Sequence, residues 1–599
     1  MMRFANLAVA TVTALISAIG GASASLYAEA KIAQQAEKSA EARFRQLTRE
    51  AWEFDLKEDP LFATWVGDQR YNDRLPRERL ADQQRRLAAK RKLHEQLGGI
   101  DREELPRAAQ VDYDIFRLLV ENTVAEYEFE SYLAPITNRS GFHISFPELR
   151  REVPLATTAD YENYVKRLTA FDQYVADHIE LMRAGIEKGQ VLPGIVLEGF
   201  KGAIDPHVVD DPTRSLLYEP FTKFPDSIEQ AERDRLVEAG RAAISESVVP
   251  GYRRFVEFME KEYVPAARGS IGASALSNGR EFYRYRVRKF TTLDLTPEEV
   301  HQIGLGEVKR ICAEMETVIA KTGFEGDFAA FVDHLRTDDQ FYADSPEELM
   351  QHVALILKRM DGELPRLFGK LPRTPYGLRP VPDYIAPRTT SAYYQQPTGD
   401  GRQAGYYYIN TFNLKSRPLY EMEALSLHEA VPGHHLQLAL QQEMGDLPEF
   451  RRFAGFTVFV EGWALYSERL GLEVGFYQDP YSDFGRLTFE MWRACRLVVD
   501  TGMHYLGWTR KQAIDFLAEN TALSIHNIES EVDRYISWPG QALAYKIGEL
   551  KIRELRHQAE EQLGDRFDVR SFHDMILGSG SVPLSVLEEN TTRWLEEQK

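Results

Sequence analysis

A chain of 599 residues with 43% hydrophobic and 27% charged side chains has a globular composition, which excludes a disordered or collagen-like chain. The formal net charge of −20 repels phosphate backbones and anionic lipid, which excludes nucleic acid as a partner. Two cysteines, Cys312 and Cys495, are too few for a disulfide framework and read as packed, unbridged thiols.

The first predicted element is a leader. Met1-Met2-Arg3 carries a positive charge, an apolar stretch runs from about Leu7 to Ile19, and Ala22-Ser23-Ala24 is an A-x-A site. That layout predicts a secretory signal peptide over residues 1–24. The apolar run is shorter than the roughly 20 residues of a membrane span, and no cysteine follows it to carry a lipid. The expectation is a secreted or periplasmic protein with no stable membrane association after cleavage.

From residue 28 to about 130, apolar residues recur at three- and four-residue spacing among Ala, Glu, Arg and Leu, which predicts helices. The same pattern predicts helices over 158–188, 227–263, 296–322 and 345–367, with Asp160, Ser227, Thr296 and Ser345 as N-caps. Between about Leu371 and Leu414 the texture changes to Pro, Tyr, Gly and Thr. Pro380-Val381-Pro382-Asp383-Tyr384 reads as loop or edge strand, where proline is tolerated. Gly405-Tyr406-Tyr407-Tyr408-Ile409-Asn410-Thr411 reads as a short β-strand. Helical patterning resumes near Pro418 and continues to the end. The chain is therefore mainly α, with a small sheet just before its most unusual segment.

That segment, Leu427-His428-Glu429-Ala430-Val431-Pro432-Gly433-His434-His435-Leu436-Gln437, holds three of the chain's 14 histidines. A single histidine there would read as a surface or capping residue. Several imidazoles beside a carboxylate suit a borderline metal such as zinc. In an H-E-x-x-H helix the histidines at i and i+4 share a face and the glutamate acts as base. Here position i+4 is Pro432, which lacks an N–H and crowds the preceding turn, and Gly433 loosens it further. The helix should bulge or pause there and then present His434 or His435. A straight helix would bring His435 back to the face of His428, but the Pro-Gly pair undermines a straight helix.

This motif, H-E-x-x-P-G-H, resembles the hallmark of the family catalogued as domain of unknown function 885. It is also similar to the metal helix of gluzincin-type zinc metallopeptidases, the thimet-oligopeptidase-like enzymes among them, with a two-residue insertion before the Gly-His pair. The resemblance makes His434 a ligand beside His428. It makes Glu461, in Phe459-Val460-Glu461-Gly462-Trp463, the third ligand, with Glu468 a supporting or structural residue. Glu429 becomes the general base. The stretch Pro539-Gly540-Gln541-Ala542-Leu543-Ala544-Tyr545 is similar to the family's C-terminal motif, which makes Tyr545 the first choice for stabilising an oxyanion, with Tyr535, Arg534 and His526 behind it. In the gluzincin relatives an edge strand at the place of residues 406–411 pairs with the substrate backbone, which brings in Tyr408 and Asn410. Asp500 and His504, four apart on a predicted helix, read either as a carboxylate orienting a metal-bound histidine or as a surface pair.

The resemblance implies a mainly α, zincin-like metallopeptidase, with residues 25–599 forming one catalytic domain of two helical lobes and the small sheet at the edge of the active-site cleft. It implies a zinc ion as cofactor and a peptide as substrate. The same machinery would serve a hydrolase of a non-peptide amide. A periplasmic binding protein with a vestigial metal site would not need an intact Glu429.

Overall fold

The computed structural model describes residues 39–383, 386, 390–397, 404–445 and 447–598. The expected leader over residues 1–24 and Tyr384 lie outside them. The described chain is mainly helical, with one three-stranded sheet.

Helices Ala40–Glu58, Leu80–Gly98 and Arg107–Glu128 open the chain. Helix α1, Thr158–Lys188, follows, and its cap differs from the expected one. Thr157 is the N-cap, and Asp160 closes the capping box by accepting from the Thr157 N–H. The stretch expected as one helix over 227–263 is interrupted. It runs as Gln230–Ala243 and Val249–Phe258, with π-helical turns at Ile244–Val248 and Met259–Tyr263. Pro250 has no N–H to give to a continuous helix, and the first π turn absorbs that defect. Ser227 caps nothing: Glu229 precedes the first helical residue without a side-chain bond. Helix α2 is Gly279–Thr291. Helices α3, Pro297–Thr322, and α4, Pro346–Leu367, begin at the expected caps Thr296 and Ser345.

The sheet comprises β1, Tyr376–Pro380; β2, Ala392–Gln395; and β3, Gly405–Ile409. Its order is β1-β3-β2, with β3 parallel to β1 and antiparallel to β2. The strand expected at an edge is therefore the central one. Both rows of its backbone groups are already paired, so β3 has no edge to offer an extended ligand.

The helices that follow are α5, Met422–Glu429; α6, His434–Gln442; α7, Thr457–Leu470; α8, Pro480–His504; α9, Ile525–Ser537; and α10, Ala544–Leu563. Buried apolar residues form two clusters. One holds Leu427, Leu436, Phe459, Trp463 and Ile547. The other holds Leu168, Phe171, Tyr252, Phe255 and Val532. Helix α8 serves both: Phe489 and Leu497 point into the first, Leu487, Cys495 and Val498 into the second. Cys495 is buried and Cys312 half-buried, and neither is bridged. No helix among the described residues is long and apolar enough to cross a membrane.

Helices α7 and α10 touch through glycine. A Cβ at Gly462 would overlap the Gly548 backbone, and one at Gly548 would overlap the Val458 carbonyl. Gly462→Ala is expected to lower the thermal midpoint, at a cost of about 3 kcal/mol, the upper end for overpacking. A wild-type melting curve for that variant would refute this packing.

Candidate metal centre

The unusual segment folds as two short helices joined by a turn. Helix α5 ends at Glu429, Ala430 leaves helical geometry at φ −106° and ψ −104°, and the Val431–Pro432 peptide is cis. Gly433 sits at φ −76° and ψ −125° before α6 restarts at His434. A Cβ at Gly433 would overlap the His428 carbonyl oxygen, so only glycine fits this fold of the chain. The Gly433 N–H donates to the Leu427 carbonyl at 2.9 Å, and the His435 N–H to the Ala430 carbonyl at 3.0 Å. From α7, the Trp463 indole N–H donates to the Pro432 carbonyl at 2.9 Å and pins the turn.

The break resets the helical phase. His434 Nε2 and His428 Nε2 each lie 3.5 Å from the same oxygen, Glu461 Oε2 on α7. The ligand atoms of these three residues lie within 4.8 Å of one another, and no other such group of three or more occurs among the described residues. His435 turns the other way, with its Nδ1 2.8 Å from the Tyr394 hydroxyl on β2 and its ring against Tyr376 on β1.

The donor set fits a zinc ion. A separation of 3.5 Å is too long for an N–H···O bond. Two ligands about 2.0–2.1 Å from one tetrahedral ion stand roughly 3.4 Å apart. Glu461 Oε2 is buried without a hydrogen-bond partner, which is costly unless something else satisfies it. Glu468, one helical repeat on from Glu461, places Oε1 2.8 Å from His428 Nδ1. Holding the proton on Nδ1 leaves Nε2 free to bind a metal.

The electrostatics are those of a buried charge cluster. Burial opposes a charge on His428, but Glu461 and Glu468 outweigh it and push the imidazole up to about 9. Burial would raise Glu461, yet His428 and His434 hold it at about 2. Burial pushes His434 down to about 4. Burial raises Glu429, which is not in the triad, to about 7. Tyr545, in the first turn of α10, is raised by burial and by the Glu461 charge, and the Arg496 guanidinium lies over its ring at 4.4 Å.

The other expected site residues are placed differently. Tyr408 on β3 stacks on Tyr393 at 4.8 Å. Asn410 is fully buried, and its amide donates to the Ala386 and Thr390 carbonyls, so it ties a loop rather than a ligand. The Tyr535 hydroxyl is spent inside the protein: it donates to Glu531 and accepts from Trp492 and Arg496. Arg534 binds Glu531 and the Gln541 side chain. His526 is exposed in the first turn of α9. Asp500 and His504 are neither a surface pair nor partners of the triad. Both are fully buried; Asp500 accepts from Tyr283 and Gly540, while His504 accepts from the Ala273 N–H and donates to the Tyr535 carbonyl.

Sequence reasoning missed Arg493 and Arg496, which lie in the same segment as Cys495. Two arginines inside an otherwise apolar stretch of helix were the available signal. Both are almost fully buried. Arg493 approaches Glu468 at 3.7 Å, and Arg496 binds Tyr535 and Glu531.

Fold and cluster together define a helical protein whose His–His–Glu set, His428 buried and the other two half-buried, adjoins a small sheet. Residues 60–590 match the family described as "Bacterial protein of unknown function (DUF885)", and the chain belongs to that family. A crystal structure of a candidate lipoprotein from Colwellia psychrerythraea is similar at 29% identity and a TM-score of 0.88, over 93% of this chain and 100% of that one. A candidate lipoprotein of unknown function from Shewanella oneidensis shares the fold at 18% identity and a TM-score of 0.69, over 91% of this chain and 99% of that one. None of the functionally curated proteins matches the sequence.

Proposed function

We propose that the protein is a zinc-dependent peptidase acting on oligopeptides. The observation that carries this reading is the shared 3.5 Å spacing of His428 and His434 Nε2 around Glu461 Oε2, with Glu429 adjacent and outside the set. His428, His434 and Glu461 would hold the ion, and Glu468 would orient His428 from behind. When bound, zinc supplies Lewis acidity and makes water acidic enough to ionise near neutral pH. Glu429 takes the proton of the attacking water on a carboxylate oxygen and passes it to the leaving nitrogen. The Tyr545 hydroxyl donates to the substrate carbonyl oxygen as that oxygen gains charge. The two hydrophobic clusters that share α8 support a two-lobed, zincin-like arrangement around a cleft. Export to the periplasm or medium is supported by the A-x-A leader and by the descriptions of both structural neighbours as candidate lipoproteins.

The test is elemental analysis joined to a peptide assay on purified protein. The expected result is one zinc per chain, with peptide cleavage lost on chelation and restored by zinc. Cleavage by metal-free protein would overturn the reading. Turnover of non-peptide amides alone would replace it with the amide-hydrolase alternative.

A further inference from the structure

Helix α8 carries Arg493 and Arg496 at i and i+3, so both side chains leave the same face. That face looks toward the metal cluster. Arg493 lies 3.7 Å from Glu468, the carboxylate behind His428. Arg496 lies over the Tyr545 ring at 4.4 Å.

At ion-pair distance the carboxylates on this face are oversubscribed. Glu531 is shared by Arg139 at 3.4 Å, Arg496 at 3.3 Å and Arg534 at 2.9 Å. Glu468 already accepts from His428 at 2.8 Å and only approaches Arg493. Within that distance Arg139, Arg493, Arg496 and Arg534 draw on two carboxylates, one of them committed elsewhere. Arg417, Glu421, Glu429 and Glu461 act on this face at longer range, and with them arginines and acids are equal in number.

The donors are unsatisfied as well. Arg493 Nε and Arg496 Nη1 are buried and have no hydrogen-bond partner. The bond that Arg493 does make is to the Phe489 carbonyl, within its own helix. A buried, underpaired guanidinium is costly unless an anion completes it. Its planar fork matches a carboxylate. The oxygen-rich alternative, phosphate, is disfavoured by the neighbouring acids Glu421, Glu429 and Glu468.

Resting on the peptidase reading, we propose that Arg493 and Arg496 bind the C-terminal carboxylate of the substrate, so that the enzyme trims peptides from the C-terminus rather than cutting internally. Tyr545 beneath Arg496 then holds the carboxylate subsite and the scissile carbonyl within one substrate residue or two of each other.

The experiment compares hexa-alanine with hexa-alanine amide on zinc-loaded wild type, Arg493→Gln and Arg493→Lys, with products read by mass spectrometry. Wild type is expected to shorten the free acid from its C-terminus and to favour it over the amide by roughly tenfold or more in kcat/KM, the worth of a charged hydrogen bond. Arg493→Gln should lose that preference through KM, with its zinc content unchanged. Arg493→Lys should recover part of it, which guards against a variant that merely misfolds. Equal cleavage of acid and amide at internal bonds would overturn the inference and leave the peptidase reading intact. Failure to cleave either would overturn the peptidase reading. The inference is then decided by thermal shift with hexa-alanine: stabilisation by the acid alone, absent in Arg493→Gln, sustains a carboxylate site, and equal shifts with the amide refute it.

Discussion

Glu429→Gln is expected to keep the metal and the fold while turnover falls roughly 10²–10⁴-fold, the range for losing a positioned general base. Glu429 is the last residue of α5, one position beyond His428, yet its carboxylate is not among the three grouped ligand atoms. The amide has almost the same volume, so the local packing is kept. It has no oxygen basic enough to take a proton from water and return it to an amine. Zinc content, thermal midpoint and kcat separate the possibilities. Loss of zinc would make Glu429 a ligand; turnover within tenfold of wild type would remove it from the chemistry.

Much of this architecture was legible in the sequence, and the failures have local causes. Helices α3 and α4 announce themselves through Thr296-Pro297-Glu298-Glu299 and Ser345-Pro346-Glu347-Glu348, where cap, proline and acids agree. The start of α1 misleads because Thr157 and Asp160 are both good capping residues, and only their reciprocal bonds decide which is the cap. The position of β3 within its sheet depends on pairing with β1 and β2 over long sequence separations, which local patterning does not encode. Asn410 and Tyr535 look like binding groups because they are polar and near the motif. Their hydrogen-bond partners lie elsewhere in the chain and consume them. Arg493 and Arg496 were hidden for the opposite reason: charged residues in a helix usually face water, and only the packing of α8 between two cores shows that these do not.

His434→Ala is expected to empty the metal site, whereas His435→Ala is expected to leave it filled. In a continuous helix the two residues would exchange roles, because seven residues return close to the starting face and six do not. The chain avoids that outcome with Pro432 and Gly433. The helix stops, Gly433 folds its backbone against the His428 carbonyl, and the new helix starts with His434 turned toward Glu461. Removing His434 takes away a direct bond to the metal, so the loss of affinity should exceed the roughly 10–100-fold cost of removing a supporting partner. Removing His435 breaks its contacts with Tyr394 and Tyr376, which loosens α6 against the sheet without touching the ligand set. Competition with a zinc-chelating dye gives the affinities, and the thermal midpoint of each metal-free variant shows whether it folds. If His435→Ala releases the metal and His434→Ala retains it, the turn at Pro432-Gly433 does not reset the helical phase as described, and the site belongs to the straight-helix geometry after all.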